Sequence, residues 1–154
     1  MIKKAEMPDA DALAALAIQL WPDNDLRELT EEFRGFIQNA DAACFIKYAG
    51  GEPVAFAECR LRHDYVEGTD SSPVGYLEGI FVKEGFRRQG CAAQLLAECE
   101  NWAGEKGCTE FASDCELDNA ESTRFHKAMG FEEANRIICF RKVLDTAAPV
   151  SGPR

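Results

Sequence analysis

Apolar positions recur at helical spacing in the first part of this chain. Leu13, Leu16, Ala17 and Leu20 form one such set, and Leu29, Phe33, Phe36 and Ile37 another between Leu26 and Gln38. Each set makes one stripe along a helix. Pro8 opens the first helix, with Asp9 and Asp11 in the turn where the helix dipole favours carboxylates. Pro22 stops it, because a residue before proline avoids the helical region, and so Trp21 falls at the turn between helices. Residues 2–5 read as a short first strand, and residues 44–48 and 54–61 as strands joined by the hairpin signal Ala49-Gly50-Gly51-Glu52. Residues 62–73 make a polar loop longer than a connector requires. Residues 76–82 are an apolar and aromatic run suited to a buried strand, interrupted by Glu78 and Gly79.

From Cys91 the helical period returns at Leu95, Leu96, Cys99 and Trp102, ending near Lys106 with Gly107 just past the end. Residues 109–113 predict another strand, followed by Asp114. Asp118 or Asn119 can cap a short helix to Met129, closed by Gly130. Residues 136–143 read as the last strand, and residues 145–154, rich in Pro, Ala, Ser and Gly, as a frayed tail. Strands first joined by hairpins and then alternating with helices predict an α/β or α+β fold. The expectation is one domain over residues 1–144, with a mixed sheet covered by helices on both faces.

Composition narrows the functions. A chain of 154 residues with 46% hydrophobic content can bury one real core. A formal charge of −10 and a pI near 4.7 argue against nucleic acid or an anionic membrane as partner. They favour a small cationic substrate, although an acidic surface kept for solubility explains the same charge. Seven cysteines, an odd number with no CxxC pair, read as reduced thiols of a cytoplasmic protein. Two histidines and no ligand-spaced cluster suggest no metal. The N-terminal Ala/Leu run is broken by Pro8, Asp9 and Asp11, and reads as neither signal peptide nor membrane span.

The chemistry gathers after the central strand, at Arg87-Arg88-Gln89-Gly90-Cys91-Ala92. A glycine just before a helix lets backbone N–H groups crowd around an anion, and the helix N-terminus adds unpaired donors and partial positive charge. A phosphate or pyrophosphate would fit there. The spacing is neither the Rossmann nor the Walker pattern. It resembles the acetyl-CoA loop of the GCN5-related N-acetyltransferases, with Val82, Phe86 and Arg87 matching the approach and Glu84 standing where proline is usual.

Longer runs resemble the aminoglycoside 6′-N-acetyltransferases of that superfamily. They are Leu20-Trp21-Pro22, Arg62-His63-Asp64-Tyr65-Val66, Asp70-Ser71-Ser72-Pro73, Leu77-Glu78-Gly79-Ile80-Phe81-Val82, Phe111-Ala112-Ser113-Asp114 and Met129-Gly130-Phe131-Glu132-Glu133. The resemblance implies a mostly antiparallel sheet that splays between its central strands. It also implies acetyl-CoA as co-substrate and direct transfer to the 6′-amine of an aminoglycoside by a homodimer.

By that resemblance Ile80, Phe81, Val82, Arg87, Arg88, Gln89, Gly90, Cys91, Ala92 and Asn119 would bind CoA. The backbone at Ile80 and Val82 would pair with the pantetheine arm, and an N–H near Ile80 would polarise the thioester. Trp21, Tyr65, Glu78 and Asp114 would hold the drug, with Tyr65 reaching a partner's site. Glu78 would be the base or would orient the amine; the alternative for it is a strand-end carboxylate paired with a nearby arginine. For Asp114 the alternative is a cap, and for Trp21 and Tyr65 it is core or hinge packing. Gly79 either is merely tolerated or marks a bulge or close approach.

The chain also departs from the pattern. His126 stands where the superfamily often has the tyrosine that protonates the thiolate, and Cys139-Phe140-Arg141-Lys142 lacks the hydroxyl of the usual Phe-Tyr-Arg-Lys strand. His126 or water would then supply the proton. Rival readings are acetylation of a polyamine or other small cationic amine, or a non-catalytic acyl-CoA-binding module.

Overall fold

Alternation along two hairpin strands serves both faces of one sheet. In β2 (Ala42–Ala49), Cys44 and Ile46 face one way, while Ala43 and Phe45 face the other. In β3 (Glu52–Arg62), Phe56 joins the first set and Ala55, Ala57 and Cys59 join the second. A sheet apolar on both sides needs helices on both. Helices α1 (Ala10–Leu20) and α2 (Leu26–Gln38) cover the first face with Leu13, Leu16, Ala17, Leu29 and Phe33. Helix α3 (Cys91–Glu105) covers the second with Leu95, Leu96, Cys99 and Trp102. Phe33, Phe56, Leu13 and Leu95 are fully buried, and each such burial stabilises the fold by about 1.5–3 kcal/mol.

This computed structural model describes residues 1–145. From residue 146 onward the expected tail lies outside the described residues. The sheet runs β1 (Ile2–Lys4), β2, β3, β4 (Val74–Val82), β5 (Phe111–Ala112) in sequence order. Neighbours are antiparallel as far as β4, and β5 lies parallel to it. Helix α4 (Ala120–Ala128) follows, capped by Asn119, whose side chain accepts from the Ser122 N–H at 3.0 Å. The element order had predicted this mixed sheet with helical cover on both faces.

Three elements differ from expectation. Pro8 lies in a 3-10 turn, Met7–Asp9, and α1 begins only at Ala10. Asp9 is taken up as a buried anchor, receiving the Glu6 N–H at 2.8 Å and the Tyr48 hydroxyl at 2.8 Å beside Lys3 Nζ at 3.0 Å. The strand expected over 109–113 shrinks to two residues, pairing only with Gly75 and Tyr76. The strand expected over 136–143 does not form. Those residues carry no regular structure, and Ile137, Ile138, Phe140 and Val143 are 69–89% exposed. Strand-forming side chains need a ladder to pair with and a surface to cover, and this segment has neither among the described residues.

One irregularity in β4 positions the site. Glu58 lies opposite Gly79, but the next residue, Cys59, lies opposite Leu77. Glu78 is therefore the extra residue of a β-bulge, which shifts the alternation by one place. Leu77 packs on the α3 side, Gly79 faces Trp21, and Ile80 and Val82 return to the α3 side. A Cβ on Gly79 would stand 2.7 Å from Trp21 Cη2. Bulge and close approach are thus both present at Glu78-Gly79.

Candidate active site

Between β4 and α3 the chain makes a backbone-lined turn. Arg88 and Gly90 both have positive φ, 62° and 81°, and Gly90 is the N-cap of α3 with no side chain capping the helix. The first-turn N–H groups of a helix have no partners of its own making, and a Cβ on Gly90 would meet no atom within 4 Å. The approach to those N–H groups is open. Arg87 fixes the turn to the strand, its Nε donating to the Val82 carbonyl at 2.8 Å, and Cys91 Sγ lies 3.5 Å from the Phe86 carbonyl oxygen.

β4 itself is half covered on its far edge. β5 pairs only as far as Tyr76, so among the described residues Leu77 to Val82 have no strand on that side. The Lys83 N–H donates to the Val54 carbonyl on β3 at 2.9 Å. Because successive N–H groups alternate sides, those of Ile80 and Val82 point away from β3 to the open side. This is the splay that an extended ligand could enter.

On the opposite face of the sheet a cleft of about 350 Å³ opens between α2 and the bulge, lined by Trp21, Phe33 and Phe36 with Glu58, Arg60 and Glu78. Arg62 grips both carboxylate oxygens of Glu78, at 2.9 Å through one nitrogen and 3.1 Å through another. Its guanidinium also lies 3.5 Å from the centre of the Tyr76 ring. Tyr76 donates its hydroxyl to Asp114, and burial, then that hydrogen bond, push the phenol above its usual pKa. Glu78 and Asp114, far apart in sequence, are thus linked through Arg62 and Tyr76. A shallow groove of about 880 Å³ beside Asp25 and Arg34 lies away from both loop and bulge.

The acetyltransferase (GNAT) family model matches residues 10–131, which span both features. The chain belongs to that family. Within it, the chain is 44% identical to an aminoglycoside N(6′)-acetyltransferase type 1 of Stenotrophomonas maltophilia, over 96% of this chain and 95% of that one. Its fold superposes with a TM-score of 0.90 on AAC(6′)-Iy in complex with the bisubstrate analogue CoA-S-monomethyl-acetylneamine, at 40% identity and covering 94% and 98% of the two chains. The aminoglycoside 6′-N-acetyltransferase AAC(6′)-Ih of Acinetobacter baumannii gives 0.87 at 39% identity, with 94% and 98% covered.

In this acetyltransferase the residues expected at the site are placed as follows. Glu78 and Trp21 line the cleft, and Asp114 joins through Tyr76. Ile80, Phe81 and Val82 form the open half of β4; Arg87, Arg88, Gln89, Gly90, Cys91 and Ala92 form the turn into α3. Tyr65 stands apart, 75% exposed, its hydroxyl receiving the Gly68 N–H at 3.3 Å. His126 is half-buried. Its Nδ1 meets the Ser122 carbonyl at 2.7 Å and its Nε2 the Ser113 hydroxyl at 2.7 Å, so it pins α4 to the residue before Asp114. Sequence reasoning missed Arg62 and Tyr76, which hold the acids, and Glu58. A carboxylate inside the apolar run 54–61 was the available signal for Glu58, the same one that had marked Glu78. Among the described residues no group of three His, Cys, Asp or Glu could hold a metal ion, and no helix is long and apolar enough to cross a membrane.

Proposed function

We propose that this chain transfers acetyl from acetyl-CoA to the 6′-amino group of aminoglycosides, by direct attack of the amine on the thioester. The observation that carries the reading is the acidic, aromatic-walled cleft opening at the bulge of β4, whose far edge beyond Tyr76 has no paired strand among the described residues. An aminoglycoside is a polycation rich in hydroxyls, which carboxylates on rigid walls suit. Its kinship with enzymes named for that reaction supports the same substrate.

In this account the N–H groups of the Gly90 turn and the first turn of α3, with Arg88 and Gln89, hold the pyrophosphate. Asn119, the cap of α4, binds CoA as well in this account. The free N–H groups of Ile80 and Val82 pair with the pantetheine arm, and that of Ile80 polarises the thioester carbonyl. Glu78, fixed by Arg62, holds and orients the amine beside Trp21, while Asp114 binds a neighbouring ammonium. The departing thiolate takes its proton from water or from His126. To donate, His126 must first gain a second proton and give up the hydrogen bond it accepts from Ser113.

The working unit is one acetyltransferase domain, residues 1–144, acting in the cytoplasm as a homodimer. The exposed side chains of Ile137, Ile138, Phe140, Val143 and Leu144 support association, since so many large apolar side chains in one short segment suit a partner better than water. Tyr65, equally exposed, is free to reach the partner's cleft. Sedimentation giving the mass of one chain would contradict the dimer.

Release of CoA thiol with kanamycin as acceptor tests the activity. Rapid release with kanamycin and little with spermidine is expected. Turnover of spermidine alone would favour a polyamine enzyme, and binding of CoA without turnover of any amine would favour a non-catalytic module.

A further inference from the structure

The cleft holds a second carboxylate, and it is held very differently from the first. Glu58 follows Phe56 by two residues, so it projects from β3 onto the face covered by α1 and α2, and it is only 4% exposed. Its Cα partner across the sheet is Gly79, the residue beneath Trp21 and next to the bulged Glu78. It lines the same cleft as Glu78. Yet among the described residues its carboxylate has one hydrogen-bond partner, and a distant one, Arg60 Nη2 at 3.4 Å, while the Arg60 guanidinium is drawn toward the Phe36 ring, 4.0 Å from its centre. Glu78 is gripped at both oxygens by Arg62. A buried carboxylate with so little compensation is costly to keep, unless a cation arrives to complete it.

We propose that Glu58, rather than Glu78, is the residue that takes the proton from the attacking amine. The division rests on the acetyl-transfer reading above. The amine nitrogen forms its bond to the thioester carbon, the carbon–sulfur bond breaks and its electron pair leaves as the thiolate. The surplus N–H proton passes to Glu58 Oε, directly or through one water, and later to solvent. Glu78 and Arg62 hold the amine in line and keep their charges throughout. Glu58 suits the task on two counts. It is one register position from the Ala57–Ile80 pair, whose Ile80 N–H faces the open edge. It also stands in an environment where its two protonation states are nearly balanced. Burial raises its pKa from 4.5 to about 7, the charges of Glu78 on β4 and Glu32 on α2 add to that, and Arg60 opposes it. Cys44, its partner on β2, stays a neutral thiol, since its own pKa is pushed far up, first by burial. A base poised near the working pH transfers protons most efficiently.

The experiment compares wild type, Glu58→Gln and Glu78→Gln with acetyl-CoA and neomycin from pH 5.5 to 9, reading kcat and KM separately, with CoA affinity by calorimetry as the check on folding. In wild type, kcat falls on the acid side as Glu58 becomes protonated. Glu58→Gln lowers kcat on the order of 100-fold, leaves the neomycin KM within a few-fold, and loses that acid limb. Glu78→Gln raises KM and keeps the limb. A Glu58→Gln enzyme that binds CoA and retains either the wild-type kcat or the acid limb overturns the proposal. Loss of the limb in Glu78→Gln instead would return the role to Glu78. Wild type that binds CoA but turns over no neomycin would sink the acetyl-transfer reading itself, which is a separate outcome.

Discussion

The glycine turn and the acid cleft meet the same strand from opposite faces of the sheet, and they are built in opposite ways. The turn is made of consecutive residues, 87–92, and works through backbone: two positive-φ positions and a helix end without a side-chain cap. The cleft is made of side chains from the α1–α2 turn, α2, β3 and β4, spread from Trp21 to Glu78. It exists only because the bulge puts Glu78 and Gly79 where Glu58 and Trp21 can share them. A site built from backbone tolerates many side chains but few backbone changes. A site built from side chains depends on register, packing and charge.

The contrast should show most strongly at Gly90. Gly90→Val forces a β-branched residue to φ 81° and fills the open approach to the helix N-terminus. Affinity for CoA, measured by calorimetry, should fall on the order of 100- to 1,000-fold while circular dichroism stays native. Undiminished binding would remove the turn from the CoA site.

In the cleft the largest effect should be one of charge. Glu58 is raised from 4.5 in the unfolded chain to about 7 in the fold, so folding favours its neutral form. The stability it contributes is complete below pH 4.5 and is lost as pH rises through 7. Glu58→Gln cannot ionise, and should be more stable than wild type by about 3 kcal/mol at pH 8 and equal to it near pH 4. Urea unfolding at the two pH values measures this, and an equal difference at both would place the gain elsewhere.

A smaller effect should come from packing. In Gly79→Ala the new methyl would meet Trp21 Cη2 at 2.7 Å, and the indole must move. Such overpacking costs about 1–3 kcal/mol. Trp21 fluorescence should shift and KM for the aminoglycoside rise, with CoA affinity unchanged. A fall in CoA affinity of the same size would show that turn and cleft are not separable.

Legibility in the sequence follows the same division. Helices α1 to α3, the hairpin β2–β3 and the glycine turn were readable because each is set by local spacing of apolar residues, glycine and proline. Glu78 was readable as a charge inside an apolar run. Its partner Arg62 was not, since the bidentate grip depends on a two-versus-one register across β3 and β4 that no local pattern records. Asp114 reaches the site through Tyr76, another pairing fixed by the short parallel contact of β5. Residues 136–143 have the composition of a strand, but a strand also needs a neighbour, and composition alone does not supply one.

The central claim, transfer to the 6′-nitrogen, is tested most directly by two aminoglycosides that share a scaffold. Neomycin carries an amine at the 6′ position and paromomycin a hydroxyl. An alcohol is a far weaker nucleophile, and neither carboxylate of the cleft is basic enough to make it an alkoxide. The enzyme should release CoA thiol rapidly with neomycin and hardly at all with paromomycin, which should act as a competitive inhibitor through its remaining ammonium groups. Equal turnover of the two would contradict the account by moving the reaction to a different amine.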